Sequence, residues 1–513
     1  MSEDKLLFVR ESSGLVKEVG TGFALLLPIA LTLGPWFHYF GPQVSTWYPG
    51  AHLVPMYALG AGAVFFEALA LMCLMLAMPR SGASYHFTGR GLSPIFGVME
   101  GWRSVITNPV FRGTGSFFAV QIFAGGLAVI GAATGNAGLV SFAATLSGDI
   151  IWLFTAAVLM ILVGFVFAYL SVKWLGWYVI IIGLVNILAL LVADLVMLST
   201  PMSQAVWENS MGPGTWAPIA AFNPTTPVNY VDFNFGAVGG ALLITVGGMW
   251  PYLIMPVAGE VSQPSRNIPL SNVGGWAGIA FFFLLSGFAV ESSMGNYLYG
   301  VNMVGGVFPG FGNYAAVILG ANPLAWFVIL CPIFASLGDS PSNALWVTRP
   351  MHSMAMDRFC PEAFARVHPK YHVPHITLYF WLILSIGTVA YATFLQSFYG
   401  TALAGLIGVA YTYVFIRWQM ALAAISLPYY RPTLWERSGG WKFLGIPLVS
   451  LGGIVSGAVF FWAIIAYVPT LPYEVAFTIA VYVIGQIAYM YYGAKNKAKG
   501  IEMSAIFGQL PPE

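Results

Sequence analysis

"LLPIALTLGPWF", residues 26–37, sits in an apolar run long enough to cross a bilayer, yet it carries Pro28 and then Gly34 and Pro35. Proline removes a helical N–H and clashes with the preceding turn, and glycine weakens a helix further. The stretch therefore predicts a spanning helix that breaks partway. "ITVGGMWPYLIMPVAGE", residues 244–260, repeats the pattern with Gly247, Gly248, Pro251 and Pro256. Either one alone reads equally well as a kink, because proline and glycine are common in membrane helices. Two interrupted spans five apart match inverted repeats that hold a solute at their breaks.

Composition sets the frame for that reading. The 513 residues are 58% hydrophobic and only 8% charged, whereas a soluble globule carries roughly 25% charged residues. Backbone groups in lipid must be satisfied within the segment, so the spans read as helices, and the alternation of a membrane barrel is absent. Twelve spans are predicted: 19–40, 52–78, 94–132, 149–171, 174–199, 236–258, 272–299, 323–350, 374–395, 399–427, 444–468 and 472–493. The third is too long for one straight crossing, which predicts a tilt or an extension beyond the bilayer. The expected fold is thus an all-α polytopic membrane protein with spans 1 and 6 broken. Its parts are an N-terminal tail (1–18), a first repeat (19–199), an external loop (200–235), a second repeat (236–427), spans 11 and 12 (428–493) and a C-terminal tail (494–513). The polar start shows no cleavable signal. Cys73, Cys331 and Cys360 have no metal-ligand spacing and predict no disulfide framework.

Lysine and arginine fall on alternate connections, at Arg80 and Arg90, Lys173, Arg266, Arg358 to Lys370, Arg431 to Lys442, and in both tails. The other connections, 41–51, 133–148, 200–235, 300–322 and 469–471, carry neither. This asymmetry predicts a multi-pass protein of the cell (plasma or inner) membrane with both termini cytoplasmic.

Three stretches carry a family resemblance. "PRSGASYHFTGRGLSPIFGVMEGW" (79–102), "AGEVSQPSRNIPLSN" (258–272) and "ALWVTRPMHSMAMDRFCPEAFARVHPKYHVPH" (344–375) resemble, in order and spacing, loops of the amino acid–polyamine–organocation permeases. The resemblance implies a five-plus-five inverted repeat shared with the bacterial leucine transporter, two peripheral helices, and alternating-access transport of amino acids or amines. The family's first break has three glycines that offer amides to a substrate carboxylate. The matching positions here are Ala30, Gly34 and Trp36, and Trp250 stands where the sixth span would carry a glycine. Candidate solute-binding residues are then Ala30, Leu31, Thr32 and Gly34 at the first break, with Gly247, Gly248, Trp250 and Tyr252 at the second. Phe117 and Phe118 of the third span are pocket candidates that read as readily as core.

Ionisable residues inside spans are costly and point to function by default. Glu100 and Arg103 read as an interfacial pair; Asp194 and Glu291, toward span ends, read as solvated; Arg417 has no assigned role. Glu67 and Arg112 read as a buried pair joining spans 2 and 3, or as contacts to a charged solute. Asp339 is the leading candidate, in "ASLGDSPSNA" (335–344). Ser336 shares its helix face, Ser340 follows, and Pro341 frees the carbonyl of Leu337. That oxygen cluster suits a small hard cation. "LGDS" also resembles the aspartate–serine pair that holds sodium in neurotransmitter transporters of this fold. In proton-coupled permeases a fifth-span lysine fills the same space; the matching position here is Asn186. Asp339 is therefore either a sodium or proton site or a structural acceptor in a facilitator or exchanger.

The leading expectation is a secondary transporter of an amino acid or amine, with no cofactor beyond a coupling Na+ or H+ and no nucleic-acid partner. A carrier of another organic solute, such as a polyamine or nucleobase, is the alternative. No nucleophile–base or metal constellation favours an enzyme, no repeated filter motif favours a channel, and no phosphate-cradling GxxxxGK[ST] loop favours ATP use.

Overall fold

Residues 7–48, 51–222, 235–399, 402–468 and 472–512 are described by the computed structural model. They form α-helices almost throughout, and the strands among them are one antiparallel hairpin, β1 (Lys442–Phe443) with β2 (Ile446–Pro447). Nine helices among the described residues are long and apolar enough to cross a membrane, and the bent first span adds a tenth. This is the all-α polytopic fold that composition predicts.

The first span divides into α1 (Thr21–Thr32) and α2 (Pro35–Trp47), bent by 44°. Long helices follow: α3 (Leu53–Ala77), the short α4 (Ser84–Gly91), α5 (Pro94–Ala133), α6 (Ala137–Gly148), α7 (Ile150–Leu170) and α8 (Val172–Ser199). The third span is one unbroken 40-residue helix. Residues 133–148, predicted as a connection, mostly form α6, whose first turn is capped by Asn136 accepting from the Leu139 N–H at 3.1 Å. The loop predicted over 200–235 contains two short helices, Gln204–Met211 and Trp216–Ala221; its residues 223–234 lie outside those described, as do 49–50 and 469–471 of two other predicted connections.

The second half holds α9 (Phe235–Gly248), α10 (Gly275–Met294), α11 (Cys331–Met356), α12 (His375–Tyr399), α13 (Ala402–Tyr430), α14 (Leu448–Tyr467) and α15 (Pro472–Ala498), then the short α16 (Met503–Gly508). Helices α3, α5 and α11 are largely buried, whereas α7, α8 and α15 expose rows of apolar side chains such as Leu159, Val163, Val166, Leu184, Leu188 and Leu195. An inner bundle thus stands behind a lipid-facing layer, because exposed apolar rows are stable only in hydrocarbon.

Both predicted breaks are present. At the first, α1 stops at Thr32, and α2 restarts with Pro35 as its first residue, where a missing N–H costs nothing. At the second, α9 stops at Gly248 and the chain continues through turns into the 3-10 segment Met255–Glu260. The freed peptide groups find partners across the bundle. The Thr32 hydroxyl accepts from the Trp250 N–H at 3.3 Å and donates to the Trp250 carbonyl at 3.5 Å. Asn186 of α8 donates to the Leu33 carbonyl at 3.0 Å, and the Trp36 indole N–H to the Ile244 carbonyl at 3.2 Å. Glycine permits this approach: a Cβ on Gly248 would stand 2.8 Å from the Trp36 ring, and one on Gly183 would stand 2.4 Å from the Ala30 Cβ.

Buried charge also arranges the helices. Glu67 of α3 pairs with Arg417 of α13, which had no assigned role, and not with Arg112: Arg417 Nε donates to Glu67 Oε1 at 2.7 Å, and its other nitrogens reach Glu67 Oε2 and the Val246 carbonyl. The helix packing, which sequence spacing does not reveal, sets this choice.

Two substitutions test these contacts. Gly248→Ala should displace Trp36 and lower solute uptake by about tenfold or more while the protein still reaches the membrane, as checked by uptake against surface expression. Arg417→Ala should strand Glu67 and cost about 3–5 kcal/mol in chemical-denaturant unfolding, with most of the loss recovered in Glu67→Leu/Arg417→Leu.

Candidate functional site

A narrow cavity opens beside the two breaks. It is lined by Leu31 of α1, by Trp250, Tyr252 and Leu253 after α9, and by Arg103, Asn108 and Phe111 of α5. Asp339, Ser342, Asn343 and Trp346 of α11 and Tyr413 of α13 complete most of the wall. Aromatic rings shape it: Trp250 meets Phe111 edge-on at 5.2 Å and Tyr413 at 6.1 Å, and Tyr252 meets Trp346 at 5.8 Å. The tyrosine hydroxyl of Tyr413 donates to Asn108 Oδ1 at 2.6 Å. The Trp250 indole N–H has no hydrogen-bond partner among the described residues. A buried tryptophan N–H usually finds an acceptor, which this one lacks among the described residues.

Of the residues singled out at the breaks, Leu31, Trp250 and Tyr252 line the cavity, while Thr32 and Asn186 bond the breaks together. Ala30, Gly34, Gly247 and Gly248 serve close packing around it and do not line it. Phe117 lies outside the lining, packed edge-on against Phe118 at 5.4 Å; Phe111, less than two turns earlier on α5, takes the wall position.

Asp339 faces the cavity, but its partner is Arg112. Arg112 Nη1 donates to Asp339 Oδ2 at 2.8 Å and to the Ser336 carbonyl at 2.9 Å. Its other nitrogens donate to Ser116 Oγ, at 3.0 and 2.5 Å, and to Ser336 Oγ. The Leu337 carbonyl freed by Pro341 accepts from the Tyr178 hydroxyl at 3.3 Å. Ser340 turns away, its Oγ unpartnered among the described residues and packed where Gly164 of α7 has no Cβ. Of the oxygens that the sequence offers to a cation, Asp339 Oδ2 and Ser336 Oγ are thus held by a guanidinium and the Leu337 carbonyl by a phenol. No group of three or more His, Cys, Asp or Glu suited to a metal occurs among the described residues.

Three further readings need correction. Glu100 and Arg103 do pair, with Arg103 Nε donating to Glu100 Oε2 at 2.8 Å, but both are buried rather than interfacial. Arg103 also lies 5.3 Å over the Tyr413 ring at the cavity wall. Asp194 is not solvated: it is fully buried, with Ser286 donating to its Oδ2 at 2.8 Å. Glu291 is buried too and caps α3, accepting from the N–H groups of Leu53 and Val54 at 2.6 and 3.4 Å. Hydropathy places both near span ends but is blind to the helices that cover them.

The three quoted loops meet on the face that bears both termini. Glu260 accepts from Arg349 at 3.0 and 2.9 Å and from the Ser81 hydroxyl at 3.0 Å. Asp357 takes the Tyr85 hydroxyl at 2.7 Å and Arg90 at 3.0 Å. Ser353 donates to the Ser81 carbonyl, and Gly82 to the Pro256 carbonyl. Burial raises the Asp357 carboxyl above its usual range against the pull of Arg90, and burial with Arg90 beside it holds His86 well below the usual imidazole range. Val19 joins this lock by accepting from the Ser262 N–H at 3.0 Å.

The comparisons agree with the architecture. The chain is similar to the Glutamate/serine transporter AimA of Bacillus subtilis (strain 168), at 28% identity over 256 residues, covering 48% of this chain and 42% of that relative's length. A family model described as Amino acid permease matches residues 44–499. With two broken spans, a cavity beside them and a family match over most of its length, this multi-pass membrane protein belongs to the amino acid permeases.

Proposed function

We propose that the chain is a secondary transporter that carries an amino acid or a related amine across the cell membrane by alternating access, both termini lying in the cytoplasm. The observation that carries the reading is the pairing, in one cavity wall, of an unpartnered indole N–H on Trp250 with the carboxylate of Asp339. The first suits a substrate carboxylate and the second an ammonium group, the two charges that every α-amino acid presents. The first-repeat and second-repeat halves, residues 19–199 and 236–427, would rock about the breaks, with spans 11 and 12 outside that motion. The name of AimA, a glutamate/serine transporter, directs the first substrate tests to glutamate and serine.

Coupling follows from the charge count. Arg112 already neutralises Asp339, so the pair needs no sodium ion to remain in a low-dielectric interior. A proton on Asp339 is the ion this arrangement admits, because it removes the charge that holds the guanidinium. If no proton enters, the protein is an exchanger or facilitator. Carriage of a polyamine or nucleobase is the alternative substrate reading, favoured only by the bulk of Trp36 and Trp250 at the breaks. Catalysis has no support from any side-chain constellation in the cavity.

Proteoliposome uptake of labelled glutamate, serine and a polyamine, with sodium and proton gradients imposed separately, tests this reading. Amino acid uptake should be saturable and unchanged by sodium. Asp339→Asn should lower it about tenfold or more by stranding Arg112. Arg112→Gln/Asp339→Asn should leave uptake low, because the carboxylate that receives the ammonium group is still missing, and should also abolish any accumulation that an imposed pH gradient drives in the parent. Sodium-dependent uptake, or polyamine uptake alone, would reject the proposal.

A further inference from the structure

On the face that bears the termini, a second cavity of about 410 Å³ lies between the C-terminal segment and the connection from α13 to α14. Four arginines line it: Arg80 and Arg90 from the connection before α5, Arg431 and Arg437 from the connection after α13. Some of their N–H groups hold the C-terminal segment in place. Arg80 Nε donates to the Pro511 carbonyl and Arg90 Nε to the Gln509 carbonyl, both at 2.8 Å, and Arg431 reaches the Phe507 carbonyl at 3.4 Å. Arg90 also pairs with Asp357, whereas Arg437 is exposed at the rim. None of the described lining residues is acidic, and Thr433 adds a hydroxyl. Asp357 balances Arg90, so the positive charge that the cavity presents is carried by Arg431 and by the exposed Arg437. Guanidinium groups match the planar, multi-oxygen geometry of a phosphate and bind it with charge-assisted hydrogen bonds.

Independent features put this cavity at the membrane surface. Tyr429 and Tyr430, immediately before Arg431, are 70% and 78% exposed, in the manner of side chains that anchor a helix end at the headgroup level. The same connection continues into the β1–β2 hairpin, whose tip is Leu444 and Gly445, with φ of 49° and 83°. Leucine is strained at positive φ, and here it is also 86% exposed, with Phe443 beside it 57% exposed. An apolar tip of this kind is at rest when dipped into the interface between headgroups and acyl chains.

We propose that this four-arginine cavity binds the phosphate group of an anionic phospholipid, with the hairpin tip seated in the same leaflet. Basic pockets between spanning helices bind such headgroups where the cytoplasmic leaflet is anionic. The bound phosphate is held by Arg431 and Arg437, beside the contact that Arg431 makes with the C-terminal segment. The site is separate from the solute cavity, and its test does not depend on what the protein transports.

Native mass spectrometry of the full chain in detergent, titrated with phosphatidylglycerol, phosphatidylcholine or inorganic phosphate, reads the site directly. Phosphatidylglycerol should be retained in preference to phosphatidylcholine. Arg431→Gln/Arg437→Gln should weaken that retention about tenfold or more, while Lys495→Gln, an exposed charge on the same face, should leave it unchanged. Arg437→Lys should keep part of it, which separates loss of charge from misfolding; gel filtration and thermal stability of each variant provide the second check. Equal retention of the two lipids, or retention unaffected by the double arginine substitution, would overturn the proposal. Saturable binding of inorganic phosphate with no preference for phosphatidylglycerol would overturn the lipid as its source.

Discussion

A guanidinium buried in an apolar bundle must have a carboxylate beside it, and this requirement organises the molecule. Five buried arginines each have one: Arg90 with Asp357, Arg103 with Glu100, Arg112 with Asp339, Arg349 with Glu260 and Arg417 with Glu67. Removing one partner leaves a charge that the interior cannot solvate, so these pairs specify which helix lies against which far more strictly than apolar packing does. Four of the five join distant segments; only Glu100 and Arg103 share a helix turn. Together they tie α3 to α13, α5 to α11, and the three loops that carry the family resemblance to one another.

Around that framework the breaks supply what a carrier needs. Interrupted helices expose peptide groups in a region without water, and each such group must bond to protein or to a bound solute. Thr32, Asn186 and Trp36 satisfy some of them directly, which holds the two broken spans together across a short distance. Trp250 lies where these contacts and the aromatic wall converge, with its indole N–H left without an acceptor. The cavity is therefore both braced and incomplete, a combination suited to a ligand that completes it.

The Arg112–Asp339 pair changes how the cation-like cluster in the eighth span is understood. Aspartate, two serines and a proline-freed carbonyl are the right chemistry for a hard cation when read along one helix. The neighbouring helix brings a permanent cation of its own, and Tyr178 takes the freed carbonyl. Position 186 carries an asparagine, and the cation beside Asp339 comes from a different helix. Charge balance is a property of the space enclosed by the helices and not of any one span.

Much of the architecture was legible in the residues themselves. Apolar runs of bilayer length, the placement of Pro28, Gly34, Pro35, Gly247, Gly248 and Pro251, and three loop stretches specify spanning helices, two breaks and the family, because each depends on local backbone chemistry or on chain order. Leu31, Trp250 and Tyr252 were likewise visible as cavity candidates, since breaks advertise themselves, whereas Asp339 was singled out as a cation site or structural acceptor and lines the cavity beside Arg112. The partners of the charges were not. Glu67 with Arg417, Arg112 with Asp339, the burial of Asp194 and Glu291, and Phe111 in place of Phe117 all depend on which faces of separate helices meet. Helical periodicity repeats along a span that is apolar on every side, so the sequence carries little information about rotation. Only the packed bundle, by bringing each guanidinium to a carboxylate, decided those contacts.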